Sequence, residues 1–180
     1  MTDVTIRKAS IEDCGPILKL VNELALLQIL LPRSPASVIE NIRDFFVAEV
    51  DGRFVGCGAL HIVWTDLAEI RSIAVDPSLQ KAGIGRKLID VMVAEAKALG
   101  IPKLFAFTYV QTFFEKSDFH VVSHGQLPHK VFNDCLHCPK FMACDEIAME
   151  RVLFETKPGA ANFGIPVTQI PVPNQTRTSA

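Results

Sequence analysis

The sequence predicts a single-domain protein of the α/β (α+β) class, and three observations carry that expectation. Runs of apolar and β-branched residues bounded by turn signals recur along the chain, as at Phe45 to Val50, Phe54 to Ile62 and Ala68 to Val75. Between such runs lie stretches with an apolar residue every three or four positions, the strongest extending from Ile84 to Leu99. A length of 180 residues, 49% hydrophobic and 21% charged, suits one domain with a substantial core.

Val4 to Lys8 alternates apolar and polar residues and reads as the first strand. Ser10 or Asp13 caps a helix from about Ile11 to Leu27, with Ile17, Leu20, Val21 and Leu24 on its buried face. Leu31-Pro32-Arg33-Ser34-Pro35 breaks that helix into a loop, and Ala36 to Arg43 makes a short second helix. Phe45 to Val50 and Phe54 to Ile62 are strands joined by Asp51-Gly52, a hairpin signal. Gly56 and Gly58 fall inside the second of them, where glycine weakens a strand unless a neighbour approaches closely or the strand bulges. Ala68 to Val75 is the next strand, and Asp76-Pro77 stops it.

In the following helix Ile84, Leu88, Met92 and Ala96 recur every four residues, Ile89 and Val93 widen the stripe, and Gly100-Ile101-Pro102 ends it. Lys103 to Thr108 is a strand apolar enough to lie between two neighbours, and Gln111 to Lys116 is a short helix. Phe119 and Val121-Val122 belong to a further strand, Pro128 to Leu136 to another short helix, and Glu146 to Phe154 to a closing strand. The domain is expected to span residues 1–156. From Lys157 the chain is rich in Pro and Gly, and residues 157–180 are expected not to pack as a regular element.

Composition excludes several classes. A net charge of −2 argues against a general nucleic-acid binder. The most apolar run, Leu24 to Leu31, contains Gln28 and is far too short for a bilayer core of about 30 Å, so no membrane partner is expected. Met1 to Cys14 is punctuated by Asp3, Arg7, Lys8, Glu12 and Asp13, unlike a signal peptide, and the expected location is cytoplasmic. Five cysteines, an odd number, read as thiols rather than as a disulfide framework. Oligomeric state stays open, a homodimer included.

The chain is organised around Glu69 to Leu99, where a strand, a loop and an amphipathic helix follow one another. The loop Gln80-Lys81-Ala82-Gly83-Ile84-Gly85-Arg86 opens the helix, whose first N–H groups lack intrahelical partners. The helix dipole, the close approach that glycine permits, and the charges of Lys81 and Arg86 all favour an anion there. Neither G-x-x-x-x-G-K-[ST] nor a G-x-G-x-x-G after a strand is present. A tight strand-to-helix turn that uses glycine only for its backbone angles is the alternative.

Gln-x-x-Gly-x-Gly in this setting resembles the acyl-CoA loop of the Gcn5-related N-acetyltransferases. The resemblance implies a single-domain acyl-CoA N-acyltransferase fold, a mixed, mostly antiparallel sheet flanked by helices. It implies acetyl-CoA as acetyl donor and no required metal. The amides of Gln80, Lys81, Ala82, Gly83, Ile84, Gly85 and Arg86 would hold the CoA pyrophosphate, and the pantetheine would lie along Ile73, Ala74 and Val75.

Four further segments narrow the resemblance: Leu30 to Ser34, Cys57 to Ile62, Leu67 to Val75, and Val131 to Met149. Together they resemble the acetyltransferase domain of N-acetylglutamate synthase, an amino-acid N-acetyltransferase, over roughly Val4 to Val152. That resemblance implies direct acetyl transfer from acetyl-CoA to the α-amine of L-glutamate, the first step of arginine biosynthesis. Many such synthases carry an amino-acid-kinase-like domain ahead of this one, so a stand-alone short form is expected here.

Glutamate brings two carboxylates and a mostly protonated amine, so its site needs cations and a base. Arg33 is the leading carboxylate clamp and Arg71 the second, with a surface salt bridge as the competing reading of Arg71. Glu69, two residues before Arg71 and on the same strand face, matches the general-base position of the resemblance, while an ion pair with Arg71 competes. A backbone N–H near Ile73 or Ala74 would face the thioester carbonyl. Where relatives carry a proton-donating tyrosine this sequence has Phe114, and Tyr109 either substitutes for it or packs. Cys57 reads as a core residue rather than a nucleophile. Cys135, Cys138 and Cys144, near His137 and with His129 or His124 as a fourth ligand, fall short of a closed metal set, and buried thiols are the favoured reading. Two alternatives to glutamate acetylation stand: an N-acetyltransferase for another small amine or a protein, and an inactive acyl-CoA-binding module.

Overall fold

Four strands near the N-terminus are antiparallel neighbours in the computed structural model, which describes residues 4–127 and 144–155. These are β1 (Val4–Lys8), β2 (Phe45–Val50), β3 (Arg53–Trp64) and β4 (Leu67–Val75). β5 (Lys103–Thr108) then joins β4 in parallel, and β7 (Ile147–Val152) inserts between β5 and the short β6 (His120–Val121). The result is one seven-stranded sheet in the order β1-β2-β3-β4-β5-β7-β6, mixed and mostly antiparallel as expected. Asp51 and Gly52, at φ of 49° and 72°, make the β2–β3 turn in the left-handed region that such hairpins require.

Helices cover both faces of the sheet. α3 (Ile84–Ala98) buries Ile84, Leu88, Ile89, Met92, Val93 and Ala96, and its face packs over Phe46, Val55, Leu60 and Ile70. On the opposite face α1 (Cys14–Leu26) sets Ile17, Leu20, Val21 and Leu24 against Phe45, Val47, Cys57 and Ala59, joined by Val38 of α2 (Pro35–Glu40). Each fully buried Leu or Ile side chain stabilises the fold by about 1.5–3 kcal/mol relative to exposure.

The first helix differs at its start: a single 3-10 turn, Ile11–Asp13, precedes α1, and Asp13 Oδ2 accepts the Ser10 N–H at 2.7 Å. The second helix ends at Glu40 rather than Arg43, and a separate turn at Ile42–Asp44 leads into β2. Ser34 caps α2 by accepting the Ser37 N–H at 3.1 Å, with Pro35 in the first turn. α4 (Gln111–Glu115) follows β5, and a further turn at His124–Gln126 follows β6. The helix expected over 128–136 and the segment 157–180 lie outside the described residues.

Two irregularities position the site. β4 and β5 pair only through Leu67, Ala68 and Glu69 opposite Lys103, Leu104 and Phe105, yet both strands continue, to Val75 and Thr108. The sheet therefore forks after Glu69. Next, β4 spends three steps from Arg71 to Ala74 where β3 spends two from Ala59 to Cys57, a β-bulge, and Ser72 takes up the extra residue at a φ of 55°. The bulge folds the Ile73 side chain over Gly58, where a Cβ would stand 2.6 Å from Ile73 Cδ1. That close approach is why glycine occupies the middle of β3.

Candidate active site

The loop ahead of α3 is built from backbone geometry. Lys81 and Gly83 adopt φ of 72° and 80°, and Gly83 is the residue on which α3 starts. The first bond of the α3 ladder runs from the Lys87 N–H to the Gly83 carbonyl at 3.0 Å, so the N–H groups of Ile84, Gly85 and Arg86 come before the ladder begins. Gln80, Lys81, Ala82, Gly83 and Arg86 are exposed, whereas the Ile84 side chain is an anchor in the core and can offer a ligand only its backbone. Asp76 fixes the entry, accepting from the Ser78 N–H at 2.9 Å and from its hydroxyl at 2.6 Å. Hydrogen bonding to Ser78 holds the Asp76 carboxyl below the usual carboxylate range.

α4 closes the other side. The ring of Phe113 lies over Gly85, where a Cβ would come within 3.0 Å of it. Arg86 donates from Nη1 to the Lys116 carbonyl at the end of α4, so this cation braces α3 against α4. Amides with no ladder partner, a dipole and lysine charge together fit a diphosphate, and the forked edge of β4 at Ile73, Ala74 and Val75 leads directly to it.

A second cluster lies on the sheet face under α1 and α2. Glu69 and Arg71 project there and are buried, and Arg71 Nη1 stands 3.8 Å from Glu69 Oε2. Arg71 Nη2 is equally far, 3.8 Å, from Asp44 Oδ2 in the turn before β2. That same Asp44 oxygen is 2.5 Å from His61 Nδ1, and His61 is the cross-strand partner of Glu69. Glu69 thus occupies the last paired rung before the fork, inside a line of alternating charge.

Arg33 reaches this face from the loop after α1. Asn22 of α1 fixes its backbone twice, accepting the Arg33 N–H at 2.9 Å and donating to the Arg33 carbonyl at 3.1 Å. Its Nε donates to Ser72 Oγ at 3.1 Å, beside Arg71 in the chain. A groove of about 610 Å³ runs outward from Arg33 between α1 and Pro32, with Leu18, Asn22 and Leu26 in its wall.

The remaining expected residues have other surroundings, although the Cys57 thiol lies 3.8 Å from the Ser72 carbonyl oxygen. Tyr109, just past the end of β5, donates from its hydroxyl to Asp145 Oδ1 at 2.9 Å. Phe114 is buried and stacks edge-on with Phe113 and Phe119, both at 5.2 Å between ring centroids. Cys57 is fully buried, and burial pushes its thiol up to about 12, so little thiolate forms near neutral pH. Cys144 Sγ lies 3.9 Å from His124 Nε2, while Cys135, Cys138, His129 and His137 lie outside the described residues. Among the described residues no group of three or more His, Cys, Asp or Glu side chains is gathered for a metal. Nor does any helix among them have the length and apolarity to cross a membrane.

Three residues of the cluster carry no site role in the sequence reading: Asp44, Ser72 and His61. His61 stands inside the segment Cys57 to Ile62 without a partner in view, because Asp44 meets it only through the β2–β3 pairing.

Comparison with known proteins agrees with this geometry. Residues 22–119 match the family model described as acetyltransferase (GNAT) family. An uncharacterized N-acetyltransferase of Chlorobaculum tepidum is 38% identical over 151 residues, 84% of this chain and 97% of its own length. An amino-acid acetyltransferase of Mycobacterium tuberculosis is 35% identical over 72% of this chain and 75% of its own. Among solved structures, N-acetylglutamate synthase from Neisseria gonorrhoeae, complexed with coenzyme A and N-acetyl-glutamate, superposes with a TM-score of 0.77 at 29% identity. The match covers 86% of this chain and 36% of that one. Rv2747 from Mycobacterium tuberculosis, in complex with CoA, superposes at 0.71 with 30% identity, over 83% of this chain and 99% of that one.

Proposed function

The chain belongs to the acetyltransferase (GNAT) family, and on that premise we propose that it transfers the acetyl group of acetyl-CoA to the α-amine of an amino acid, L-glutamate. The observation that carries the reading is the placement of Glu69. It is buried on the last rung before β4 and β5 part, next to Arg71 and on the strand that Arg33 contacts.

Acetyl-CoA supplies an activated thioester. The chain's own groups supply the rest. N–H groups at the start of α3, with Lys81, receive the diphosphate, and the fork admits the arm that follows along Ile73, Ala74 and Val75. Arg33 and Arg71 meet the two acceptor carboxylates, and Glu69 removes a proton from the ammonium so that the amine can attack. The Ser72 bulge turns the backbone near Ile73 and Ala74 away from the regular ladder, where an N–H can meet the thioester carbonyl. Tyr109, whose hydroxyl donates to Asp145 Oδ1, is the candidate proton donor to the leaving thiolate, which can also leave without help from a side chain. Buried Cys57 favours direct transfer over an acetyl-enzyme.

The names borne by the Mycobacterium and Neisseria proteins support an amino acid, and glutamate, as acceptor. With that acceptor the reaction is the first step of arginine biosynthesis. The test is thiol release from acetyl-CoA by the purified protein with L-glutamate, L-ornithine, L-aspartate, polyamines or no acceptor. Turnover that depends on glutamate is expected. Acetyl-CoA binding without turnover on any acceptor would overturn the proposal in favour of a binding module, and preference for a polyamine would move the acceptor to a different amine class.

A further inference from the structure

We propose that His61, oriented by Asp44, is the positioning and relay residue that carries the acceptor's proton from Glu69 to solvent. The inference rests on the reading of Glu69 as base and extends it to residues outside the expected site.

Four side chains form the line. His61 and Glu69 face each other across the β3–β4 ladder, where directly opposed residues have Cβ atoms about 4.5–5.5 Å apart. Arg71, opposite Ala59, stands between the carboxylates of Glu69 and Asp44 at 3.8 Å from each. Asp44 Oδ2 meets His61 Nδ1 at 2.5 Å. Side-chain exposure rises steadily along this line, from 3% at Glu69 and 8% at Arg71 to 25% at Asp44 and 28% at His61. The base is sealed, and the imidazole beside it reaches water.

The chemistry assigns each atom. Asp44, as a carboxylate, accepts the Nδ1–H, which leaves Nε2 as the basic nitrogen of the ring. An ammonium acceptor loses two N–H protons when it becomes an amide. One of them ends on the sulfur as the C–S bond breaks and the N–C bond forms. The other is taken up by the Glu69 carboxylate, passes to His61 Nε2 directly or through one water, and leaves the imidazolium for solvent. Atoms and charge balance with no further reactant. A guanidinium cannot give up a proton in this range, so Arg71 orders the line without conducting along it. The charged groups that face His61 among the described residues are Asp44 from the turn before β2, and Glu69 and Arg71 from β4.

Two measurements test the relay. In the thiol-release assay with acetyl-CoA and L-glutamate, His61→Gln is expected to lower kcat by about 10–100-fold. The KM for glutamate should stay within about twofold, and added imidazole should restore part of the rate. Asp44→Asn should lower kcat in the same direction, with the KM for glutamate again little changed. A wild-type rate in His61→Gln, with Glu69→Gln inactive, overturns the relay and leaves the base in place. Full turnover in Glu69→Gln overturns the base and the relay together. The second measurement needs no turnover: nitrogen NMR of the His61 ring in the wild-type protein. A neutral ring protonated on Nδ1, shifting towards Nε2 in Asp44→Asn, is the expected result. A wild-type ring protonated on Nε2 overturns the assignment whatever the acceptor.

Discussion

Arg33 donates from Nε to Ser72 Oγ at 3.1 Å, so the loop after α1 is tied to the residue where β4 leaves extended geometry. Ser72 sits at a φ of 55°, and the extra residue it absorbs separates Arg71, paired with Ala59, from Ala74, paired with Cys57. One hydrogen bond therefore couples a cation of the loop after α1 to the strand edge that opens into the fork.

Arg33→Ala is expected to raise the KM for glutamate by about 10–100-fold, the equivalent of a charge-assisted hydrogen bond of about 1.5–3 kcal/mol. kcat should change little, and Arg33→Lys should recover only part of the loss because a lysine lacks the planar fork. Steady-state kinetics in both substrates decide it. A fall in kcat at constant KM would place Arg33 outside ground-state binding.

Ser72→Gly should keep the bulge and the fold, since glycine adopts a positive φ without strain, while losing the hydroxyl that receives Arg33. Ser72→Val forces a β-branched residue into that conformation at a cost of about 1–3 kcal/mol. For a chain of this size that lowers Tm by roughly 2–12 °C. Thermal unfolding of the two variants side by side separates strain from the lost contact.

Gly56 and Gly58 should respond differently to a methyl group. A Cβ at Gly56 would meet the Ala74 carbonyl oxygen at 2.9 Å, a backbone atom that cannot move alone. Gly56→Ala is therefore expected to cost about 1–3 kcal/mol in a urea titration. At Gly58 the obstacles are Ile73 Cδ1 at 2.6 Å and Met92 Cε at 3.2 Å, the ends of flexible side chains. Gly58→Ala should be milder in stability and should raise the Kd of acetyl-CoA, because the displaced Ile73 moves on the strand proposed to hold its arm.

Asp13 links stability to acid. Its carboxylate receives both terminal nitrogens of Arg7, at 2.8 and 2.9 Å. Hydrogen bonds from Arg7 first, and then from Ser10, lower its pKa from 3.8 to about 2 against the opposing effect of burial. The folded state thus prefers the ionised form. Its stabilisation is complete above about pH 4 and is lost as pH falls towards 2. With Arg7 partly exposed, the contribution is on the order of 1–2 kcal/mol. Urea midpoints of wild type and Asp13→Asn should differ at pH 6 and converge by pH 2.

Much of the fold was legible because its signals are local. The four-residue recurrence from Ile84 to Ala96, the Asp51-Gly52 turn and the glycine that starts α3 each declare an element within a few residues. Arg33, Glu69 and Arg71 were legible as candidates because the acceptor proposed for the site demands cations and a base. The Ile84 position was legible as part of the loop, though its side chain belongs to the core.

What the sequence by itself determined was most of the described strands and helices, readable from short-range periodicity and turn chemistry; the loop before α3 stood out as a candidate anion site, and the candidate acceptor residues came from the resemblance to the acetyltransferases and the chemistry it implies. Only the tertiary structure decided the fork after Glu69, the bulge at Ser72, and the line from Glu69 through Arg71 and Asp44 to His61. Asp44 and His61 are 17 positions apart and Arg33 and Ser72 are 39. Strand register brings such pairs together, and it is set by packing both faces of the sheet at once, so no local pattern along the chain encodes it.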